Sequence, residues 1–345
     1  MDRIKILIAD SSPVYTKMFR KAVEVADDNV SVFCVSNGKE AADAIIKKSP
    51  DIVIVDADVK ETGLLELVTL IMKHTPKTFI LVTSRPSSTS AKVFMEALAA
   101  GASDSMTKPL YDSYSDNFET IKIKMSEILE SRRAAENISK PSTSSIKTKR
   151  APGKSFRPQL ILIAVSTGGP RALETIIPAL RPDISVPILI VQHMPPHFIE
   201  TLTGRLNQKS KLRVKIAEDG EEISGGTVYL APGGVHMRLN KDNELFLDDS
   251  PPINGVRPAA DALFESVAED FAGMRVLAII LTGMGQDSLR GLIRLKDKKK
   301  CYCFAQSEKT CVVFGMPRAV IEEGLADRIL DLDEIAQEID KFTYL

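Results

Sequence analysis

The chain has 345 residues, of which 44% are hydrophobic and 26% charged, with a formal net charge of -1. That length exceeds one ordinary core and calls for roughly two domains, while the balanced charge lacks the basic excess that a nucleic-acid partner demands. The start, Met1–Asp10, reads as a charged end and a short strand rather than a signal segment, and no run approaches ~18 apolar residues, so no membrane insertion and a cytoplasmic location are expected.

In chain order, short apolar runs at Ile4–Ala9, Ser31–Val35, Ile52–Val55 and Thr78–Thr83, with a weaker fifth at Ser103–Met106, alternate with amphipathic stretches at Pro13–Ala26, Gly38–Lys48, Gly63–Lys73 and Ser90–Ala100. A helix over about Asp116–Arg133 closes the set. Strands alternating with helices of this length predict βαβ units around a parallel sheet. From Ser131 to Arg157 large apolar residues almost vanish, and eight Lys and Arg face a single acid, Glu136. Such a stretch buries too little apolar surface to offset its ordering entropy, so it reads as a basic, flexible tether. The expected division is therefore residues 1–125, a linker over 126–157 that includes the helix end, and a second domain over 158–345.

The second domain opens another α/β pattern. Gln159–Val165, Val186–Val191 and Val276–Leu281 are continuous apolar runs, as central strands covered on both faces require. Leu212–Ala217 and Thr227–Leu230 read as shorter strands, and Met237–Leu247 as a hairpin turning at Asn240-Lys-Asp-Asn243. Each long run ends in a polar residue of catalytic type. Ser166-Thr-Gly-Gly-Pro170 follows the first, His193 follows the second, and Asp287 follows the third after Thr282-Gly-Met-Gly-Gln. The carboxyl edge of an open parallel sheet is where ligands bind. A serine, a histidine and an acid on that edge are the parts of an activated nucleophile. The other histidines fit less well. His74 ends a helical stretch and reads as solvated. Pro195 and Pro196 oppose a single helix through His193 and His197, hence a metal pair. His236 follows a turn and could line the cleft, but His193 is preferred as base on its strand context. Cys34, Cys301, Cys303 and Cys311 show no zinc spacing and read as reduced thiols.

These motifs, with Gln192-His-Met194, Glu218-Asp-Gly220, Val228-Tyr-Leu-Ala-Pro-Gly-Gly234, Asn254-Gly-Val-Arg-Pro258 and Val312-Val-Phe-Gly-Met-Pro317, closely resemble the catalytic domain of the bacterial chemotaxis protein-glutamate methylesterase. The resemblance implies a doubly wound, mostly parallel α/β hydrolase domain with a small antiparallel hairpin. It also implies hydrolysis of glutamyl methyl esters, and deamidation of glutamines, on chemoreceptor signalling helices, without a cofactor. Ser166 is then the nucleophile, His193 the base and Asp287 the orienting acid, with the Met284 N–H on the oxyanion and Thr167 lining the site. Two positions depart from the family: Ser288 replaces the glycine usual after the acid, and Ser307 stands where an acid is commoner.

The first domain resembles a response-regulator receiver, a five-stranded parallel (flavodoxin-like) fold. Asp56 matches the phosphoacceptor, Thr83 the switch hydroxyl and Lys108-Pro109 the lysine–proline pair. Asp10, Asp56 and Asp58 match the Mg²⁺ positions, but Ser11 stands where receivers carry a second acid, and fewer anionic oxygens weaken Mg²⁺ binding. The resemblance implies a chemotaxis histidine kinase as phosphodonor and a place in chemoreceptor arrays, and nothing demands more than a monomer. Two other readings stay open: a phospho-signalling interaction protein with a non-catalytic hydrolase-like domain, and a serine esterase for another substrate.

Overall fold

A computed structural model describes residues 3–86, 90–110, 113–137, 156–270, 273–297 and 301–344. The chain divides into two compact units, Met1–Lys140 and Pro141–Leu345.

In the first unit, β1 (Ile4–Ala9), α1 (Pro13–Ala26), β2 (Val30–Val35), α2 (Gly38–Lys48), β3 (Ile52–Asp56), α3 (Leu64–His74), β4 (Phe79–Ser84), α4 (Ser90–Ala100), β5 (Asp104–Thr107) and α5 (Tyr114–Asn137) follow in order. The strands pair in parallel as β2-β1-β3-β4-β5. Every residue of β3 and β4 is buried, which is why both read as unbroken apolar runs rather than as alternating ones. The helices start where local chemistry places them. Pro13 opens α1, and the Asn37 side chain accepts the Glu40 N–H at 2.9 Å to cap α2, a contact that contributes about 1 kcal/mol. The closing helix outruns its expected end at Arg133, so Ser131–Asn137, expected in the tether, is helical. Its basic residues are held there by acids: Arg132 pairs with Asp51 at 3.2 Å and Arg133 with Asp27 at 2.7 Å. Residues 138–155 of the expected tether lie outside the described residues, and its end is packed rather than free, with the Phe156 ring 5.7 Å from Tyr302.

The second unit comprises β6 (Leu160–Val165), α6 (Gly169–Ile176) with a 3₁₀ turn at Ile177–Ala179, β7 (Ile188–Gln192), α7 (Pro196–Lys209), β8 (Arg213–Ile216), β9 (Thr227–Leu230), β10 (His236–Leu239), β11 (Leu245–Asp248), α8 (Ala260–Asp270), β12 (Val276–Ile280), α9 (Leu289–Asp297), β13 (Cys301–Gln306), α10 (Met316–Glu322), β14 (Arg328–Leu330) and α11 (Leu332–Tyr344). A further 3₁₀ turn spans Glu308–Thr310. Seven strands form one sheet in the order β14-β13-β12-β6-β7-β9-β8, all parallel, and β10 and β11 form the antiparallel hairpin. Asn243 makes the hairpin turn with a left-handed φ of 63°. The Glu218–Gly220 motif proves to fasten this hairpin: Asp219 Oδ1 accepts the Leu247 N–H at 2.8 Å and the Gly220 N–H donates to Leu245 O at 2.8 Å.

β13 and β14 go beyond the expected strands. The Cys-Tyr-Cys-Phe run of β13 is short and follows a lysine-rich stretch, so its pattern is weak. Packing supplies what pattern does not, since Phe304 and Tyr302 meet Phe342 of α11 at ring distances of 5.1 Å each. The chain runs from β6 to β7 on one side and returns through β12 to the other. The switch point of the sheet therefore lies between β6 and β12.

Candidate active site

Three strand ends meet at that switch point. Ser166 follows β6, half-buried, and its N–H donates to Thr282 O, past the end of β12, at 3.0 Å. The Thr282 hydroxyl in turn donates to Thr167 O at 2.9 Å, so the β6 and β12 ends are laced together. This packing needs Gly283: a Cβ there would stand 2.8 Å from Ser166 Cβ and closer still to Met316 Sδ. Gly168, at φ 80°, turns the chain from the serine into α6.

His193 follows β7, and its Nε2 lies 2.7 Å from Asp287 Oδ2. Asp287 is 3% exposed and every oxygen is used. Oδ2 also accepts the Ala260 N–H at 2.5 Å, and Oδ1 accepts the Asp261 N–H at 3.0 Å and the Asn254 amide at 3.3 Å. Burial pushes this carboxyl up, but the hydrogen bond and charge of His193 and the two α8 amides outweigh it and hold it below the ordinary carboxylate value. An ionised Asp287 fixes the proton on Nε2, which leaves Nδ1 as the basic nitrogen. Among the described residues no hydrogen bond joins Ser166 Oγ to the ring, as is common before substrate enters such sites.

The other expected positions divide. Met284 is half-buried in the loop after β12, and among the described residues its N–H has no backbone acceptor, whereas the Gly283 N–H is taken by Val313 O at 3.0 Å. Thr167 is buried beside the serine. His236 does not reach the cleft: it is fully buried, its Nε2 donating to Pro251 O at 3.2 Å and its Nδ1 accepting the Ala259 N–H at 3.1 Å. Both ring nitrogens are engaged with the backbone, so neither faces the serine as a base. α7 begins at Pro196, so His193 and His197 do not share a helix, and His197 points outward at 88% side-chain exposure. His74 ends α3, exposed. The sequence reading missed Asn254 as a contact of the acid. It also missed Gln306, whose Oε1 accepts the Thr282 N–H at 2.9 Å.

In the first unit the carboxyl ends of β1 and β3 carry Asp10 and Asp56, 4% and 6% exposed, with Lys108 between them. Lys108 Nζ lies 2.6 Å from Asp10 and bonds Asp56 as well. Burial, with Asp56 adding to it, pushes the Asp10 carboxyl up despite Lys108. Thr83 is buried at the end of β4, its hydroxyl 3.5 Å from Val55 O. The Asp58 side chain stays outside this group, exposed and 3.7 Å from Arg85, and Ser11 is exposed. Cys303 is buried, and burial pushes Cys301 up to about 12 and the Cys311 and Cys303 thiols higher, which disfavours the thiolate at all three.

Comparison with known proteins agrees with this division. Residues 161–339 match the family model "CheB methylesterase" and residues 6–114 match "Response regulator receiver domain". The protein-glutamate methylesterase/protein-glutamine glutaminase of Thermotoga maritima is 38% identical over 343 residues, covering 97% of each chain. The protein of the same name from Geobacillus kaustophilus is 36% identical over 345 residues, covering 98% of each. Among solved structures, the Thermotoga maritima CheB methylesterase catalytic domain superposes with a TM-score of 0.51 at 45% identity, covering 53% of this chain and 98% of that one. Similarity that runs nearly end to end, through a hydrolase unit and a receiver unit alike, makes this chain a member of the CheB methylesterase family.

Proposed function

We propose that the chain hydrolyses glutamyl methyl esters, and deamidates glutamines, on chemoreceptor signalling helices, under control of phosphorylation at Asp56. The observation that carries this reading is the 2.7 Å bond from His193 to a fully engaged, ionised Asp287, one strand from Ser166, in a chain of this family. Ser166 Oγ attacks the ester carbonyl carbon while His193 Nδ1 takes its proton, closing the serine–histidine contact on substrate. The carbonyl oxygen becomes an oxyanion facing the Met284 N–H. The His193 proton then passes to the methoxy oxygen, methanol leaves, and Ser166 carries the glutamyl ester. Water adds to that ester with His193 again as base, and free glutamate and serine result. With a glutamine side chain the leaving group is ammonia, by the same steps. Asp287 gives up no proton. It orients the ring and stabilises the imidazolium.

In the receiver, Asp56 takes a phosphoryl group from a chemotaxis histidine kinase, and Thr83 and Lys108 contact its oxygens. The residues suit Mg²⁺, because Asp10 and Asp56 place two carboxylates around one cationic centre and this ion keeps several waters. Asp10, Asp56 and the Asp58 carbonyl would hold it, and when bound it neutralises the charge on the transferring group. Ser11 withholds one anionic ligand, so the affinity is lower than with a full acid pair. The setting is the chemoreceptor array. Among the described residues no helix is long and apolar enough to cross a membrane.

Methanol release from methylated receptor by the full chain, with and without Mg²⁺ and acetyl phosphate, tests both parts. Release that rises with the phosphodonor supports them. Release indifferent to it removes the regulatory part, and no release removes the hydrolase.

A further inference from the structure

The Asn254–Pro258 motif takes no part in the steps above, yet it leads into a second buried acid beside the first. Asp261, in the first turn of α8, is 2% exposed. Its Oδ1 accepts the Gly291 N–H of α9 at 2.8 Å, and its Oδ2 accepts the Asn254 amide at 2.9 Å. The same amide nitrogen reaches Asp287 Oδ1 at 3.3 Å, so its two hydrogens serve the two carboxylates. Asp287, which precedes α9, accepts the Ala260 and Asp261 N–H groups at the start of α8. The two helices therefore cap one another crosswise, each through an acid that belongs to the other.

A charge at position 261 is not needed for capping alone, since an asparagine oxygen caps as well. Ser288 precedes α9, three residues before Gly291, but its left-handed φ of 88° is not the extended backbone from which a serine hydroxyl caps. Its buried Oγ has no hydrogen-bond partner among the described residues, and the carboxylate takes the bond. Burial pushes the Asp261 carboxyl up and the Asp287 charge adds to it, against the Gly291 and Asn254 bonds. The acid stands where the neutral oxygen of an asparagine would cap as well, without the cost of a buried charge. Asn254 holds a left-handed φ of 53°, which aims its amide between the acids and which asparagine tolerates better than most residues.

We infer that Asp261, acting through Asn254, is a positioning residue of the hydrolytic site: it fixes the Asn254 amide on Asp287 and so holds that carboxylate against His193 Nε2. The inference rests on the hydrolase reading of Ser166, His193 and Asp287. In Asp261→Asn the Oδ1 atom still caps Gly291, but the second position becomes a donor and no longer holds Asn254. Asn254→Ala removes the link from its other end.

The test is the rate at which a fluorophosphonate labels Ser166 in the full chain, with the His193 ring N–H resonance and the thermal midpoint recorded on the same samples. Each single variant slows labelling by roughly tenfold, an effect of the size seen when one orienting hydrogen bond is lost, and shifts the ring resonance. The double variant is no slower than the slower single one, because both act through one link. Wild-type labelling rates in both single variants, or a double variant whose loss is the product of the two, overturn the positioning role. A wild-type chain that does not label at all overturns the hydrolase reading itself, a result distinct from either.

Discussion

Two acidic pockets sit at the carboxyl edges of two parallel sheets, and their carboxylates differ in the charged group that holds them. Asp287 is surrounded by fixed donors, namely two α8 amides, the Asn254 amide and His193, and each of its oxygens is used. Asp10 and Asp56 each accept one backbone N–H, from Ser12 at 2.8 Å and from Asp58 at 2.9 Å, and share a single charged donor on a long side chain, Lys108. A catalytic acid has to keep one geometry through every turnover, so backbone donors from a packed helix suit it. The acid of the proposed switch has to change charge and partner, so a charged donor on a rotatable stem suits it better. The same fold edge thus yields a rigid site and an exchangeable one, according to what satisfies the carboxylate.

The largest expected effect breaks the rigid side. Asp287→Asn keeps one oxygen and cannot accept both from Ala260 and His193 on one side and from Asp261 and Asn254 on the other, so kcat for methanol release falls about 10³–10⁴-fold, as when a triad acid loses its charge. On the exchangeable side, Lys108→Met leaves two buried carboxylates facing each other without a cation. The receiver unit is destabilised by roughly 3–5 kcal/mol, read as an earlier receiver transition in urea while the second unit's transition stays in place. Asp248 supplies a control outside both pockets. Its carboxyl, bonded by the Ser250 N–H at 2.8 Å and by Arg238 at 2.8 Å, is lowered to about 2. A folded value below the unfolded one means stability present above about pH 4 and lost as the pH falls toward 2. Asp248→Asn therefore costs about 1 kcal/mol at pH 7, allowing for solvent screening, and progressively less as the pH falls, vanishing only well below pH 2, by thermal unfolding across pH. The smallest effect probes the surroundings of Asp287. Ser288 holds a φ of 88°, and its buried hydroxyl has no hydrogen-bond partner among the described residues, so Ser288→Gly stabilises the chain by about 1 kcal/mol with kcat unchanged.

Much of this arrangement was legible in the sequence because strand ends are legible. Ile4–Ala9, Pro13–Ala26, Gly38–Lys48, Ser90–Ala100 and Thr227–Leu230 keep the limits that their apolar runs and turn residues set. Once those runs are central strands, the residues following them fall on one edge, which brings Ser166, His193 and Asp287 together without any knowledge of geometry. β13 was not legible, because its Cys-Tyr-Cys-Phe segment gains its place from aromatic contacts with α11 that lie far along the chain. The expected end of the closing helix fell short for a similar reason. Ser131–Asn137 is polar and poor in apolar residues, yet acids on other elements hold Arg132 and Arg133 in place. Asn254 and Asp261 were visible as residues but not as partners, since crosswise capping joins two helices that the sequence separates by a strand. The fate of His236 was likewise a tertiary matter: a backbone carbonyl and an amide from a distant loop, not its turn context, use up its ring.

The central claim is that Ser166, activated by His193, performs the hydrolysis, and methanol release by the Ser166→Ala chain tests it most directly. Measured on methylated receptor at equal enzyme concentration, release is expected to fall at least about 10³-fold below that of the unaltered chain, as loss of a triad nucleophile does. Release by Ser166→Ala at the unaltered rate would contradict the account.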